Sequence, residues 1–237
     1  MQDYRNIASA VIVAAGSGKR FGGSVSKQFV DLCGKPLLYY SISCFLKTHL
    51  IEQVVLVVPE DSIEHTTQFI DSNFGNYGNI KITNGGKERQ DSVLKGIELI
   101  SPESRIVVIH DGARPLITVD LVNDVILASL DTGAAILAMP TCNTVKQSGT
   151  GIFIDKTLPR DKLWLAQTPQ AFNIELLKTS YNKVDFEKTA ATDESMLLEE
   201  MGVKVKIVKG SEFNIKVTSK NDLLLCESIL ERGLYNN

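Results

Sequence analysis

The sequence predicts an α/β fold built on a mostly parallel twisted sheet, and two observations support this prediction. Apolar runs of five or six residues, such as residues 10–15 and 54–58, recur along the 237-residue chain. Continuous runs of this kind are typical of strands that are buried on both faces of a sheet. Segments with helical periodicity separate the runs, and strands joined by helical crossovers pair in parallel.

Strands and helices alternate over most of the chain. In the first predicted helix, residues 36–47, the apolar side chains of Leu38, Ile42 and Phe45 fit a helical spacing better than the alternation of a strand. The strands are predicted at residues 9–15, 53–58, 79–83, 105–109 and 133–139. The helices are predicted at residues 36–47, 62–74, 91–100 and 119–132. A last helix begins at residues 218–222, where Ser219 and Asp222 have the spacing of a capping box.

One segment interrupts this alternation and predicts a β-hairpin. Residues 141–158 alternate between apolar and polar side chains on both sides of a loop that contains Gly149 and Gly151. A hairpin inserted into an α/β domain is either decoration or an arm that contacts another molecule. Since the chain has no linker, repeat or low-complexity segment, we expect a single domain over residues 1–237 that carries this protruding arm.

Composition excludes several classes of protein. Apolar residues make up 43% and charged residues 22% of the chain, as in an ordinary globular protein. The longest apolar runs are far shorter than the roughly 20 residues of a membrane span, and we expect no secretory signal before the first strand. The net charge of −3 argues against a nucleic-acid-binding protein, because such proteins usually have an excess of basic residues. Four cysteines without C-x-x-C spacing indicate reduced thiols, so we expect a cytoplasmic protein without a membrane or nucleic-acid partner.

The first predicted strand runs directly into a glycine loop. Residues 14–21 read Ala-Ala-Gly-Ser-Gly-Lys-Arg-Phe, and glycines let backbone N–H groups approach an anion closely. The loop is not a P-loop, because Val13 replaces its first glycine, and Phe21 rules out a dinucleotide fingerprint. Lys19, Arg20 and Lys27 would suit a highly charged triphosphate. The alternative is a plain strand–turn–helix with surface cations.

Further clusters of polar residues follow other predicted strands. Residues 85–92 form a glycine turn before a helix, although they could equally be a surface turn with Asp91 or Ser92 as the cap. Residues 110–115, His-Asp-Gly-Ala-Arg-Pro, lie at the carboxyl end of a strand, where ligands gather in open α/β sheets. Lys216 alternates with apolar neighbours, which would also suit a lysine that protects an edge strand from aggregation.

Six motifs in this order resemble the 2-C-methyl-D-erythritol 4-phosphate cytidylyltransferase family over nearly the whole chain. They are Ala-Ala-Gly-x-Gly-x-Arg, Lys-Gln-Phe, Gly-Gly-x-x-Arg-x-x-Ser-Val, His-Asp-x-Ala-Arg-Pro, Leu-Trp-x-Ala-Gln-Thr-Pro-Gln and Asn-Ile-Lys-Val-Thr. The resemblance implies a Rossmann-like nucleotidyltransferase fold, CTP as the nucleotide, and Mg²⁺ held mainly through the CTP phosphates. It also implies a homodimer built with an exchanged β-arm.

The resemblance assigns roles to residues of this sequence by position in the motifs. The implied catalytic residues are Arg20, Lys27, Arg160 and Lys216. The implied nucleotide-binding residues are Ala14, Ala15, Gly16, Gly18, Gly86, Lys87, Ser92, Asp111 and Gly112. The implied sugar-phosphate-binding residues are Arg114, Thr144, Thr168 and Thr192, and no metal ligand is assigned. Ser26, Asn143 and Gly112 depart from the family's usual residues, without removing a cation.

These residues predict phosphate attack without a general base. The nucleophile would be a phosphate oxygen of methylerythritol phosphate, which is mostly dianionic at neutral pH and would expel pyrophosphate from CTP. Catalysis would then consist of positioning by cations. Two alternatives remain: a ribitol 5-phosphate cytidylyltransferase, which shares most of these motifs, and a catalytically silent nucleotide-binding regulator. Retention of four cations together argues against the silent protein.

Overall fold

The computed structural model describes residues 6–16, 21, 27–75, 79–184 and 191–235. The strands are β1 (Ala8–Val13), β2 (Asp31–Leu32), β3 (Lys35–Pro36), β4 (Ile51–Val58), β5 (Ile80–Asn84), β6 (Ile106–Asp111), β7 (Ala134–Pro140), β8 (Val145–Gln147), β9 (Lys156–Leu158), β10 (Trp164–Asn173) and β11 (Lys206–Lys209). The α-helices are α1 (Leu37–Lys47), α2 (Ile63–Phe74), α3 (Arg89–Ile97), α4 (Val119–Thr132), α5 (Ile174–Lys183), α6 (Glu194–Glu200) and α7 (Lys220–Glu231).

The described part of the chain forms one large mixed sheet and two small hairpins. The large sheet has seven strands in the order β11-β7-β10-β6-β1-β4-β5. Strand β10 runs antiparallel to both of its neighbours, β6 and β7, and the other pairs are parallel. The predicted α/β fold with a mostly parallel sheet is therefore confirmed. Because β1, β5 and β6 are parallel, their carboxyl ends meet at one edge of the sheet.

Alternate residues along the strands contribute to two apolar layers, one on each face of the sheet. Ile12 and Val108 pack toward α1, α2 and α4, whereas Val11 and Ile109 pack toward α3, α5 and α6. All four side chains are fully buried. Continuous apolar runs occur in these strands because both faces of the sheet are covered by helices.

The predicted strands and helices through residue 140 are all present, with shifts of at most three residues at their ends. Helix α3 shows the largest change: it begins at Arg89 and ends at Ile97, rather than spanning 91–100. Elements β10, α5, α6 and β11 had no counterpart among the predictions. The capping box of α7 is confirmed, since Asp222 N–H donates to Ser219 Oγ and the Asp222 carboxylate accepts from Ser219 N–H.

The segment over residues 141–158 contains the antiparallel pair β8 and β9. Its tip exposes three consecutive apolar side chains, Ile152, Phe153 and Ile154, at 78%, 75% and 64% of their full accessible areas. No helix within the described residues combines the length and apolar character that crossing a membrane requires.

Candidate active site

A cavity of about 470 Å³ opens at the edge of the sheet where β1, β5 and β6 end. Several chain segments and cationic side chains surround it. Its lining includes Ala14, Ala15, Gly16, Lys27, Gly86, Lys87, Arg89, Ser92, Asp111, Gly112 and Lys216. The structure thus brings together most of the nucleotide-binding residues that the sequence predicts. Arg20 and Gly18 lie outside the described residues.

The amino end of α3 forms one wall of the cavity. The Ser92 hydroxyl accepts a hydrogen bond from Gly86 N–H and donates to the Glu88 carbonyl, which ties the turn to the helix. A Cβ at Gly86 would overlap the Asp91 side chain, so this close approach requires glycine. Glu88 is the N-cap and forms a capping box with Asp91, which corrects the prediction that Asp91 or Ser92 caps the helix.

Asp111, the last residue of β6, gathers three cations at the floor of the cavity. Its Oδ2 contacts Lys216 Nζ at 2.6 Å and lies 3.9 Å from Arg114 Nε, and its Oδ1 lies 3.4 Å from Arg89 Nη2. Burial by itself raises the pKa of this carboxyl, but Arg89, Lys216 and Arg114 outweigh burial and hold the pKa well below its ordinary value. Asp111 therefore stays ionised and is unsuited to act as a general base.

Arg89 joins Asp111 to a second carboxylate that the sequence analysis did not single out. Arg89 Nη1 donates to Glu194 Oε1 and Oε2 at 2.7 and 2.8 Å, although Glu194 is 105 residues away. Glu194 is only 1% exposed. Burial lowers the pKa of Arg89, but the two carboxylates outweigh it, so the net pKa is raised. Arg89 stands inside the third motif and Glu194 directly follows Thr192-Asp193, yet nothing in the sequence indicates that they meet.

The segment that carries Lys216 is held against the end of β6. Val217 N–H donates to the Ala113 carbonyl, and Arg114 Nη1 donates to the Asn214 carbonyl at 2.7 Å. Lys27 Nζ in turn donates to the Val217 carbonyl at 3.0 Å, which sets Lys27 beside the Lys216 segment. Residues 214–218 form no strand, so the interpretation of Lys216 as an edge-strand lysine is wrong.

Arg114 and Thr168 face the interior rather than the cavity. Arg114 does not line the cavity, and its side chain is bonded to the Asn214 carbonyl. The Thr168 hydroxyl accepts from Asp111 N–H at 3.0 Å and lies 3.2 Å from His110 Nδ1. Because the Arg114 carbonyl can only accept, neutral His110 carries its proton on Nε2, which donates to that carbonyl at 3.3 Å, and the Thr168 hydroxyl donates to Nδ1.

Three of the predicted residues lie away from the cavity of their own chain. Thr144 and Thr192 are exposed and do not line it. Arg160 is exposed just beyond β9, and its guanidinium donates to the Cys142 carbonyl at the base of the hairpin. The structure of one chain therefore does not bring Arg160 to Lys27 and Lys216.

These features define the class of protein. A cavity at the carboxyl ends of parallel strands, with a glycine-bearing loop, cations and one helix amino end around it, is typical of an α/β enzyme that binds a nucleotide. The chain belongs to the 2-C-methyl-D-erythritol 4-phosphate cytidylyltransferase family, whose sequence pattern matches residues 8–232. It is thus a nucleotidyltransferase of the non-mevalonate isoprenoid pathway, which confirms the predicted family and function.

Relatives and solved structures agree with this membership. A 2-C-methyl-D-erythritol 4-phosphate cytidylyltransferase from Alkaliphilus oremlandii is 40% identical over 94% of both chains. One from Clostridium botulinum strain Loch Maree is 41% identical over 94% of this chain and 97% of the relative. The crystal structure of 4-diphosphocytidyl-2C-methyl-D-erythritol synthase from Anaerococcus prevotii superposes with a TM-score of 0.84 at 31% identity, over 96% of this chain and 99% of that one.

Proposed function

We propose that the cavity at the carboxyl edge of the sheet binds CTP and that methylerythritol phosphate reacts there. The observation that carries this proposal is the convergence of Lys27, Lys216 and the amino end of α3 on one cavity of about 470 Å³. That volume is within the range of small-molecule sites, roughly 300–1,000 Å³. The cations face a space that is otherwise open, where a triphosphate would neutralise them.

The reaction is an in-line substitution at phosphorus. A phosphate oxygen of methylerythritol phosphate attacks the α-phosphorus of CTP, and the bond between that phosphorus and the bridging oxygen breaks as pyrophosphate leaves. The attacking oxygen is already ionised at neutral pH and needs no base. This agrees with the depressed pKa of Asp111 and with His110, which is fully buried behind it.

Cations carry the catalysis in this proposal. Lys27, together with Arg20, stabilises the charge that develops on the triphosphate, and Lys216 orients the incoming phosphate. Lys216 is suited to this role because its side chain is 41% exposed and its amino group is held in place by Asp111 Oδ2 at 2.6 Å. The two anionic substrates repel each other, so they reach the reactive distance only when cations neutralise part of their charge and position them.

The nucleotide is proposed to lie between the glycine loop and α3. Ala14, Ala15, Gly16 and Gly18 wrap the phosphates and ribose, and the turn at Gly86, Lys87 and Ser92 receives the cytosine. Asp111 and Gly112 lie between these two walls. The hydrogen bonds of the Ser92 hydroxyl support this assignment, since they fix the backbone of Gly86 where it lines the cavity.

Mg²⁺ is the proposed cofactor, held mainly through the CTP phosphates. Among the described residues no group of three His, Cys, Asp or Glu side chains could hold a metal by itself. Mg²⁺ commonly binds substrate phosphates and keeps several waters. The Asp111 carboxylate lines the cavity but is paired with Lys216, so the triphosphate would supply most of the ligands, and the bound ion would neutralise part of the triphosphate charge.

A homodimer is proposed to complete each site. The exposed apolar tip of the arm, residues 152–154, supports contact with a second copy, because such a patch is costly in water. Arg160 and Thr144, which lie on or beside the arm, would then reach the partner's cavity and bind the sugar phosphate. Thr192, which is exposed, would add to that binding from the main body of a chain, whereas the buried Arg114 and Thr168 would support the site from behind Asp111.

The test is release of pyrophosphate by purified protein with CTP, Mg²⁺ and one acceptor at a time. We expect a much higher kcat/KM with 2-C-methyl-D-erythritol 4-phosphate than with ribitol 5-phosphate. A preference for ribitol 5-phosphate would support the pentitol-phosphate alternative. Binding of CTP without pyrophosphate from any acceptor would support a silent nucleotide-binding protein.

A further inference from the structure

Glu194 is a buried carboxylate close to the cavity that the proposed chemistry does not use. It is the first residue of α6, it is 1% exposed, and both of its oxygens accept from Arg89 Nη1. Tyr181 Oη lies 3.5 Å from Oε1. A buried carboxylate carries a large desolvation cost, so a charged partner must compensate for it.

Arg89 faces two carboxylates but is not shared equally between them. Its contacts to Glu194 are 2.7 and 2.8 Å long, whereas Nε and Nη2 both lie 3.4 Å from Asp111 Oδ1. The shorter contacts are those of a strong charge-assisted hydrogen bond, and the longer ones are at its limit. Glu194 therefore makes the stronger hydrogen bonds with Arg89, through Nη1, and Asp111 keeps its Oδ2 for Lys216 at 2.6 Å.

The cations around Asp111 outnumber the carboxylates. Arg89, Arg114 and Lys216 supply three positive charges, and Asp111 and Glu194 supply two negative ones. Without the Glu194 charge, three cations would compete for one carboxylate. Arginine is the stronger competitor, because its planar guanidinium can take a carboxylate with two parallel hydrogen bonds. Lys216, with a side chain 41% exposed, is the cation most able to leave.

We propose that Glu194 is a positioning residue: by holding Arg89 it reserves the Asp111 carboxylate for Lys216, and so fixes the lysine that orients the incoming phosphate. This inference rests on the proposed role of Lys216. It assigns a function in the reaction to a residue that neither lines the cavity nor touches a substrate.

The test compares Glu194→Gln with the wild type under saturating CTP and methylerythritol phosphate. Glutamine keeps the size of the side chain and removes its charge. We expect kcat to fall about 10- to 100-fold, because a misplaced reacting group costs a factor of this order. KM for CTP should change less than about threefold, since the glycine loop and Lys27 remain in place.

A double-mutant cycle with Lys216→Met separates positioning from general damage. If Glu194 acts through Lys216, the Glu194→Gln change has little further effect on the residual kcat of Lys216→Met. Glu52→Gln is the matched control: Glu52 is likewise a carboxylate whose two oxygens accept side-chain hydrogen bonds, here from Ser101 and Ser104, but it does not line the cavity. It should keep the wild-type kcat.

Equal fractional losses of kcat in both backgrounds, or no loss in either, would overturn the proposal. If Glu194→Gln does not fold, Arg89→Lys replaces it in the same cycle, because lysine keeps the charge but cannot hold both carboxylates. The same loss of kcat and the same absence of a further effect are then expected. Failure of the proposed function is a separate result: Lys216→Met would itself leave kcat unchanged, or the wild type would release no pyrophosphate.

Discussion

His110 should make this protein sensitive to mild acid, and the size of the effect follows from its burial. The ring is fully buried between Thr168 and the Arg114 carbonyl. Burial, opposed by the nearby Asp111 carboxylate, lowers the pKa of His110 to about 3 from the ordinary value of 6.5. The unfolded chain therefore binds a proton at this residue at a higher pH than the folded chain does.

The direction and magnitude of the pH effect follow from this difference. Because the folded pKa of His110 is depressed, its contribution to the free energy of unfolding is fully present above about pH 7. That contribution is lost as the pH falls below 6.5. The loss approaches about 1.4 kcal/mol per pH unit until the folded ring itself is protonated near pH 3. Between pH 7.5 and pH 5 the His110 contribution to the free energy of unfolding should fall by about 2 kcal/mol.

The substitution His110→Gln isolates this contribution. Glutamine retains an N–H that can donate to the Arg114 carbonyl but does not titrate. The variant should be less stable than the wild type at pH 7.5, by about 1–3 kcal/mol, because removal of the ring leaves a cavity and removes one hydrogen bond. Between pH 7.5 and pH 5 it should lose about 2 kcal/mol less than the wild type.

Urea unfolding followed by circular dichroism at pH 7.5, 6 and 5 gives these free energies. His49→Gln is the matched control, because His49 is exposed and its replacement should leave the pH dependence of the wild type in place. Parallel pH curves for the wild type and His110→Gln would refute the reasoning, since they would mean that burial of this ring does not oppose its protonation.

Three further predictions concern the proposed site and the arm. Lys27→Ala should lower kcat by about 10²- to 10³-fold with a much smaller change in CTP affinity, measured by pyrophosphate release and equilibrium binding. Lys27→Ala and Arg160→Ala proteins, refolded together in equal amounts, should recover roughly a quarter of wild-type activity, since half the dimers are mixed and each mixed dimer has one intact site. Phe153→Asp should shift the protein from dimer to monomer in sedimentation velocity, because it places a charge in the apolar arm tip.

Each of these has an outcome that would contradict it. Full turnover of Lys27→Ala at saturating substrates would mean that Lys27 only binds CTP. A refolded mixture that contains heterodimers but stays inactive would show that Arg160 does not serve the partner's site. A Phe153→Asp protein that sediments like the wild type would exclude the arm tip from the dimer contact, and Thr150→Asp on the same exposed loop should leave the dimer intact.

The sequence by itself determined the parallel core of the fold and the family. Strands β1, β4 and β6 are continuous apolar runs because helices cover both of their faces, so local composition reveals them. The functional motifs follow strand ends or precede helices, and a parallel sheet brings such positions to one edge. The family resemblance assigned Ala14, Gly86 and Asp111, far apart in the chain, to one nucleotide site, and the structure brings all three to one cavity.

Only the tertiary structure decided the pairing of charges behind this edge. Glu194 reaches Arg89 because α6 and α3 cover the same face of the sheet, and no local pattern encodes that contact over 105 residues. Arg114 and Thr168 turn inward to Asn214 and His110, although their motif positions suggest substrate contacts. Periodicity specifies which face of an element is apolar, whereas the partner of a buried charge depends on which elements the sheet order brings together.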